Sequence, residues 1–370
     1  DVRTMIHGYS PVVWDSQVEF VLDHMVVESV EGAADGANTV YTVTLQDDLV
    51  YSDGETPITA ADYVFSYLLC ASDEVAQLGA QTRQYEHIVG YEEYASGESD
   101  VFTGVRLLDT YTYSITVKGS YEPFFYNYAY LRTNPYPISV LAPECAVADD
   151  GNGAYLRNID PEVEEVPFTV EVLTETIFNE ETGYMSHPSL TSGPYMLTAY
   201  DEESGQVDFA INPYFKGNYE GVVPVIDTIT LVPVLPETMI DQLESGEIDL
   251  LNKCVDSDVI LGGMALANDG IANRNYARLG YGFCAFACET GATQFEKVRQ
   301  AIAYSFDQDA FIMEHLGSFA IAVYSYYGVG QWMTLAAMGA LVPGGAEGEE
   351  ALAWEEIDLD SLNHYDPDPE

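Results

Sequence analysis

The sequence predicts an α/β protein of several lobes, with mixed sheets rather than one doubly wound sheet. Three observations carry this. The chain has 370 residues, 47% of them hydrophobic, more than the roughly 250–300 residues over which a single core usually grows. Segments of period two alternate with segments of helical period. That alternation lacks the regular strand–helix–strand spacing of an all-parallel sheet, and no repeat of solenoid period underlies it.

Taken in order, Val40 to Leu45 alternates with Tyr41, Val43 and Leu45 on one face, the pattern of a half-buried strand. Asp47-Asp48 and Ser52-Asp53-Gly54-Glu55 supply turn chemistry around Leu49-Val50-Tyr51. Thr59 is placed to cap a helix, and Asp62 puts negative charge in its first turn. Tyr63 with Tyr67 and Val64 with Leu68 continue that helix to about Leu69. Val105 to Leu108 and Tyr113 to Val117 flank a turn at Asp109-Thr110 and predict a hairpin. Pro123 opens a short aromatic helix over 124–131.

The stretch 142–165 reads as a loop. Its Asp149-Asp150-Gly151-Asn152-Gly153 lacks the residue order and distal Glu of a calcium-binding EF-hand. A second hairpin follows, Tyr195, Leu197 and Ala199 running into a turn at 201–205 and Val207, Phe209 and Ile211 returning. A strand over 226–234 leads to a helix opened by Pro236-Glu237 and ended by Gly246, with 248–251 extended beyond it. Gln294 to Leu316 reads as helical through Val298, Ile302 and Ile312. Cys70, Cys145, Cys254, Cys284 and Cys288 are odd in number and form no C-x-x-C pair. Cys284 and Cys288 are expected as small core residues on one face of a strand, too far apart there for a disulfide.

Charge excludes whole classes of partner. Twelve Lys and Arg against 61 Asp and Glu give a formal charge of −49, so nucleic acid, whose phosphates need clustered cations, is not expected as a partner. The same sign disfavours an anionic membrane surface. With 28 Tyr and 15 Phe, disorder is a poor reading. No run approaches the roughly 18–20 apolar residues of a membrane span. A dense negative shell favours a soluble monomer in an exported, salt-exposed or acid-exposed setting. A search for H-E-x-x-H, G-x-S-x-G, a P-loop and G-x-G-x-x-G finds none, and the six histidines show no metal spacing. Carboxylate pairs are expected by chance at this acid content. The balance moves from enzyme to binding protein, with no cofactor and no metal.

Several segments together resemble one family. Leu45 to Gly54 followed by Pro57-Ile58-Thr59-Ala60-Ala61-Asp62-Tyr63-Val64-Phe65 is similar to the S-D-G-x-P-(aliphatic)-T-A-x-D region of extracellular solute-binding proteins of family 5, the oligopeptide/dipeptide-binding components of ABC importers. Thr191-Ser192-Gly193-Pro194-Tyr195 resembles that family's T-x-G-P-Y, and Ile211 to Gly217 its N-P-x-(aromatic) strand end. Ser245 to Leu250 is similar to S-G-E-(aliphatic)-D, and Val298 to Tyr304 to V-R-Q-A-(aliphatic). Each match alone is weak; five in order are specific. The motifs are scaffold: a tight turn at 52–54, a cap at Thr59, close backbone passage at Gly193, and a positive φ at Gly246.

The resemblance implies a periplasmic-binding-protein-like fold of the three-lobed type II class. Residues 1–15 and 168–280 would form a discontinuous lobe I, 16–167 an inserted lobe II, and 281–370 the start of an incomplete third lobe. Relatives run longer, so the resemblance implies that the rest of lobe III and the segment returning to lobe I lie outside this sequence. The segments before and after the inserted lobe are expected to share a sheet. The implied function is capture of a peptide or similar small solute between lobes and delivery to permease subunits, from an extracellular or periplasmic lipoprotein. The alternative is a sensor or an enzyme on the same lobes.

Candidate contacts follow from the resemblance. Asn252 and Lys253 come after the Gly-Glu-Ile-Asp strand, where relatives face the cleft, and a cation there suits a ligand carboxylate. Tyr281 and Phe283 sit at the entry to lobe III, and Gln331 and Trp332 follow a Gly-flanked segment. Trp14 is the aromatic of the N-terminal segment. For the aromatics the competing role is core packing; for Lys253 it is a solvated surface position.

Overall fold

A computed structural model describes residues 2–15, 19–80, 83–124, 126–275, 280–317, 319–323 and 328. The chain divides into two compact units, residues 1–233 and 234–370.

The first unit begins with a short helix, α1 (Val2–Ile6), and a small hairpin of β1 (Val12–Trp14) and β2 (Phe20–Leu22). Its largest sheet has the order β3-β4-β6-β5, from β3 (Val27–Asp35), β4 (Asn38–Leu45), β5 (Val105–Leu107) and β6 (Thr112–Val117). The alternation read in the sequence is the alternation observed, for Tyr41, Val43 and Leu45 are the buried positions of β4. The hairpin expected over 105–117 pairs Val105 with Ile115 and Leu107 with Tyr113.

Helix α2 (Ala60–Ala71) is buried on nearly every side, as a helix apolar around its circumference must be. Tyr63, Val64, Tyr67 and Leu68 pack with Val43, Tyr113 and Ile115 of the sheet. Phe65 and Leu69 enter a second core with Leu141, Cys145, Leu173 and Tyr184. Burying each such side chain contributes about 1.5–3 kcal/mol, so α2 ties two cores together. Its start is built as expected, with the Asp62 carboxylate accepting from the Thr59 N–H at 2.8 Å and from the Thr59 hydroxyl at 3.0 Å.

Short helices α3 (Asp73–Gln77), α4 (Tyr91–Ala95), α5 (Ile138–Leu141) and α6 (Val170–Leu173) surround this centre. Two expectations are corrected here. The aromatic helix over 124–131 is only a 3-10 turn, Asn127–Leu131. The supposed loop 142–165 contains a hairpin, β7 (Cys145–Asp149) with β8 (Ala154–Asn158). Its turn is the acidic Gly-rich run, and Asp149 is held by Arg106 Nε at 2.7 Å rather than left for an ion.

The last sheet of this unit, in the order β11-β10-β9, comprises β9 (Tyr195–Tyr200), β10 (Val207–Ile211) and β11 (Thr228–Leu231). Every strand pair described is antiparallel. The sheet expected to be shared by the segments flanking the insertion is not observed among the described residues. The N-terminal segment meets the last sheet through α1, whose Ile6 packs with Tyr195, Val207 and Phe209.

The second unit contains α7 (Met239–Ser245), α8 (Ser257–Ala265), α9 (Glu296–Ser305) and α10 (Gln308–His315). Gly246 ends α7 at φ 75°, as read. The helix expected from 294 to 316 is broken into α9 and α10, because the Asp307 carboxylate accepts from the Ala310 N–H and starts a new helix. Residues 248–251 form no strand, and neither do 281–287. Cys284 and Cys288 are exposed, against the core positions expected, since an alternating pattern is buried only where a partner strand covers it. Among the described residues no helix is long and apolar enough to cross a membrane.

Candidate functional site

Three motifs far apart in the sequence converge on one short stretch, His7-Gly8-Tyr9. The Ile6 carbonyl accepts from the N–H groups of Ser192 at 3.1 Å and Gly193 at 2.9 Å. Gly8 N–H donates to Ser192 Oγ, which donates back to the Gly8 carbonyl, both at 3.1 Å. Tyr9 stacks on Phe215 at 5.1 Å, and its hydroxyl oxygen accepts from the Lys216 N–H at 2.9 Å. Tyr63 of α2 donates to the Tyr9 carbonyl at 2.6 Å. These contacts hold Tyr9 at φ 58°, a left-handed conformation that costs a non-glycine residue roughly 1–2 kcal/mol.

The turn at 52–54 joins the same seam. Ser52 N–H donates to the Thr191 carbonyl at 2.9 Å, and Thr191 N–H donates to Ser52 Oγ at 3.0 Å. Gly54, at φ 73°, lies under the ring of Tyr214 where a Cβ would collide with it. Asn212, almost fully buried, donates to the Gly193 carbonyl at 2.9 Å and accepts from the Tyr214 N–H at 3.0 Å. Lys216 pairs with Asp48. His7 is wedged between Tyr136 at 5.5 Å and Tyr184 at 6.0 Å. Burial, with Arg3 second, lowers its pKa to about 4. The scaffold motifs of the first unit thus form one continuous joint between the N-terminal segment, the large sheet's helix and the last sheet.

Trp14 is half-buried and sits in a row of rings. The β1–β2 register sets it opposite Phe20, and the two rings stack at 3.7 Å. Tyr126 lies edge-on to both, at 5.5 and 5.6 Å. Phe124 continues the row to Tyr130 at 5.4 Å, and Tyr130 stacks on His87 at 4.7 Å. Sequence reading isolated Trp14 and missed its companions. The signal available was the short Val-Val-Trp and Phe-Val-Leu pair of strands, whose pairing juxtaposes the rings.

In the second unit, Asn252 and Lys253 are exposed on the connection between α7 and α8, Lys253 at φ 60°. The rings of Tyr281 and Phe283 lie 5.7 Å apart, and Phe283 is 74% exposed. Phe283 is therefore not a core residue. Gln331 and Trp332 lie outside the described residues. Among the described residues no group of His, Cys, Asp and Glu is placed to hold a metal ion.

The profile of a family described as bacterial extracellular solute-binding proteins, family 5 Middle, matches residues 26–336. The periplasmic oligopeptide-binding protein OppA of Escherichia coli is 26% identical over 215 residues, which cover 58% of this chain and 32% of OppA. The chain thus matches about a third of that relative's length. Among solved structures, the oligopeptide-binding protein AppA of Bacillus subtilis, in complex with a nonapeptide, superposes with a TM-score of 0.58 at 19% identity, covering 90% of this chain and 54% of AppA. NikZ of Campylobacter jejuni, in complex with Ni(L-His), superposes with a TM-score of 0.52 at 18% identity, covering 87% of this chain and 52% of NikZ. At these identities the superpositions show a shared fold, common to a peptide complex and a metal-chelate complex.

Proposed function

Because the chain belongs to the bacterial extracellular solute-binding proteins of family 5, we propose that it is part of a receptor that captures a peptide or similar small solute outside the cytoplasm and delivers it to the permease of an ABC importer. The observation that carries this reading is the joint at His7-Gly8-Tyr9, where the motifs at 191–195 and 212–217 meet and the turn at 52–54 joins them through Thr191, by backbone and side-chain hydrogen bonds. Such a joint is a device for aligning lobes, not for chemistry. In this reading 1–15 with 168–280 form lobe I, 16–167 form lobe II, and lobe III begins at about 281. The receptor acts as a monomer, anchored as a surface lipoprotein, and releases its ligand unaltered.

Asn252, Lys253, Tyr281 and Phe283 are the proposed solute contacts, joined by Gln331 and Trp332. Lys253 supplies the cation for a ligand carboxylate. Trp14, half-buried in its row of rings, is a further proposed contact. The test is a thermal shift with a peptide library, oligosaccharides and nickel chelates. A ligand at about a hundred times its Kd raises stability by about 2.7 kcal/mol, and mass spectrometry should recover it unchanged. Lys253→Ala should weaken peptides with a free carboxyl terminus more than their amidated forms. Absence of a shift with every class would overturn the reading, and turnover of the ligand would favour an enzyme on these lobes.

A further inference from the structure

Two exposed rings stand on either side of a half-buried carboxylate in the sequence of the first unit. Tyr121 is 41% and Phe124 42% exposed, with Glu122 between them in the chain. All three have fixed partners. Tyr130 donates its hydroxyl to the Tyr121 carbonyl at 2.6 Å and sets its ring 5.4 Å from Phe124. Tyr41 donates its hydroxyl to Glu122 Oε1 at 2.8 Å. Tyr126 supports Phe124 from 6.1 Å, and His87 supports Tyr121 from 6.2 Å.

We propose that Tyr121, Glu122 and Phe124 form a docking surface for an arginine side chain on a basic segment of a partner protein. A guanidinium stacks on aromatic faces and pairs with a carboxylate, which a compact ammonium does less well. The rings and carboxylate are held in place before the partner arrives, so little ordering is lost on contact. The nearby cation does not compete for Glu122, because Lys118 is engaged by Glu92 at 2.7 Å and by the Glu86 carbonyl at 2.8 Å. The formal charge of −49 draws a basic partner toward the surface. The two rings are exposed and Glu122 between them in the chain is half-buried, which suits a segment laid across the surface better than a swallowed solute. The surface is independent of the solute reading, since it uses none of the residues proposed there.

The probe is the blocked peptide acetyl-Arg-Leu-Arg-Leu-Arg-amide carrying a dye, followed by fluorescence anisotropy with the intact chain. Binding is expected to weaken with added salt, to weaken with lysine in place of arginine, and to vanish with glutamate. Tyr121→Ala, Phe124→Ala and Glu122→Gln should each reduce affinity about threefold, while Phe124→Tyr should retain it. Because the two rings are partly exposed, circular-dichroism melts should show all four variants folded. Failure of the arginine probe to bind, or equal affinity in the three weakening variants, overturns the proposal; the second result would place the probe elsewhere on the acidic coat.

Discussion

Gly193 presses its backbone against that of Ile6, donating its N–H to the Ile6 carbonyl at 2.9 Å across a gap that leaves no room for a side chain. A Cβ at Gly193 would meet main-chain atoms of Met5, Ile6 and His7, none of which moves without opening the joint. Gly193→Ala is expected to destabilise the first unit by about 2–3 kcal/mol. Gly36→Ala is the comparison, since Gly36 is at φ 62° with open space around it, and should cost only about 1–2 kcal/mol from the left-handed backbone. Urea unfolding followed by circular dichroism compares the two. Equal losses would show that the close approach contributes nothing.

Tyr63→Phe removes the hydroxyl that donates to the Tyr9 carbonyl at 2.6 Å. Tyr63 is fully buried, so the carbonyl loses that donor where water does not readily replace it. The expected loss is about 1–2 kcal/mol, with faster amide exchange around Gly8 and Tyr9. An unchanged urea midpoint would remove Tyr63 from the account of the joint.

Acid should loosen the same region. The pKa of His7 is held at about 4 by burial and then by Arg3, below the roughly 6.5 of an unfolded chain. Its stabilising contribution is complete above about pH 6.5 and is lost as pH falls toward 4, on the order of 3 kcal/mol at most. His87, also held at about 4 by burial, adds in the same direction. Asp62 opposes them. Burial raises its carboxyl to about 6, so its contribution is present at low pH and declines as pH rises from about 3.8 through 6. Urea midpoints between pH 7 and pH 4.5 should fall less steeply in His7→Phe than in the parent chain; parallel slopes would contradict the assignment.

Salt should stabilise the protein. With 61 acidic residues against 12 basic ones, self-repulsion opposes the compact state. Raising sodium chloride from about 10 mM to about 1 M shortens the screening length from about 30 Å to about 3 Å. The urea midpoint is expected to climb over that range, most of the rise coming below about 0.2 M. A flat profile would mean that the carboxylates already sit far enough apart for repulsion to be negligible.

Much of the local structure was legible because the forces that set it act over a few residues. The strand at 40–45 shows its buried face in every second residue, Thr59 and Asp62 announce a helix start, and Gly246 announces a helix end. The β7–β8 hairpin was missed because its strands are small, mixed in polarity and joined by an acidic turn that resembles a loop. The break at Asp307 was missed because its apolar spacing carries across two helices, while the capping carboxylate is one among many acids.

By itself the sequence determined the class through short-range periodicity, the sign of the surface charge through composition, and the order of the scaffold motifs through their resemblance to a family. Only the tertiary structure decided that Ser52, Thr191, Asn212 and Lys216 meet around His7-Gly8-Tyr9, and that Trp14 belongs to a row of rings. It also decided that Phe283 faces solvent. Those facts depend on which distant backbones approach closely enough to exclude water, and no window of neighbouring residues encodes that distance.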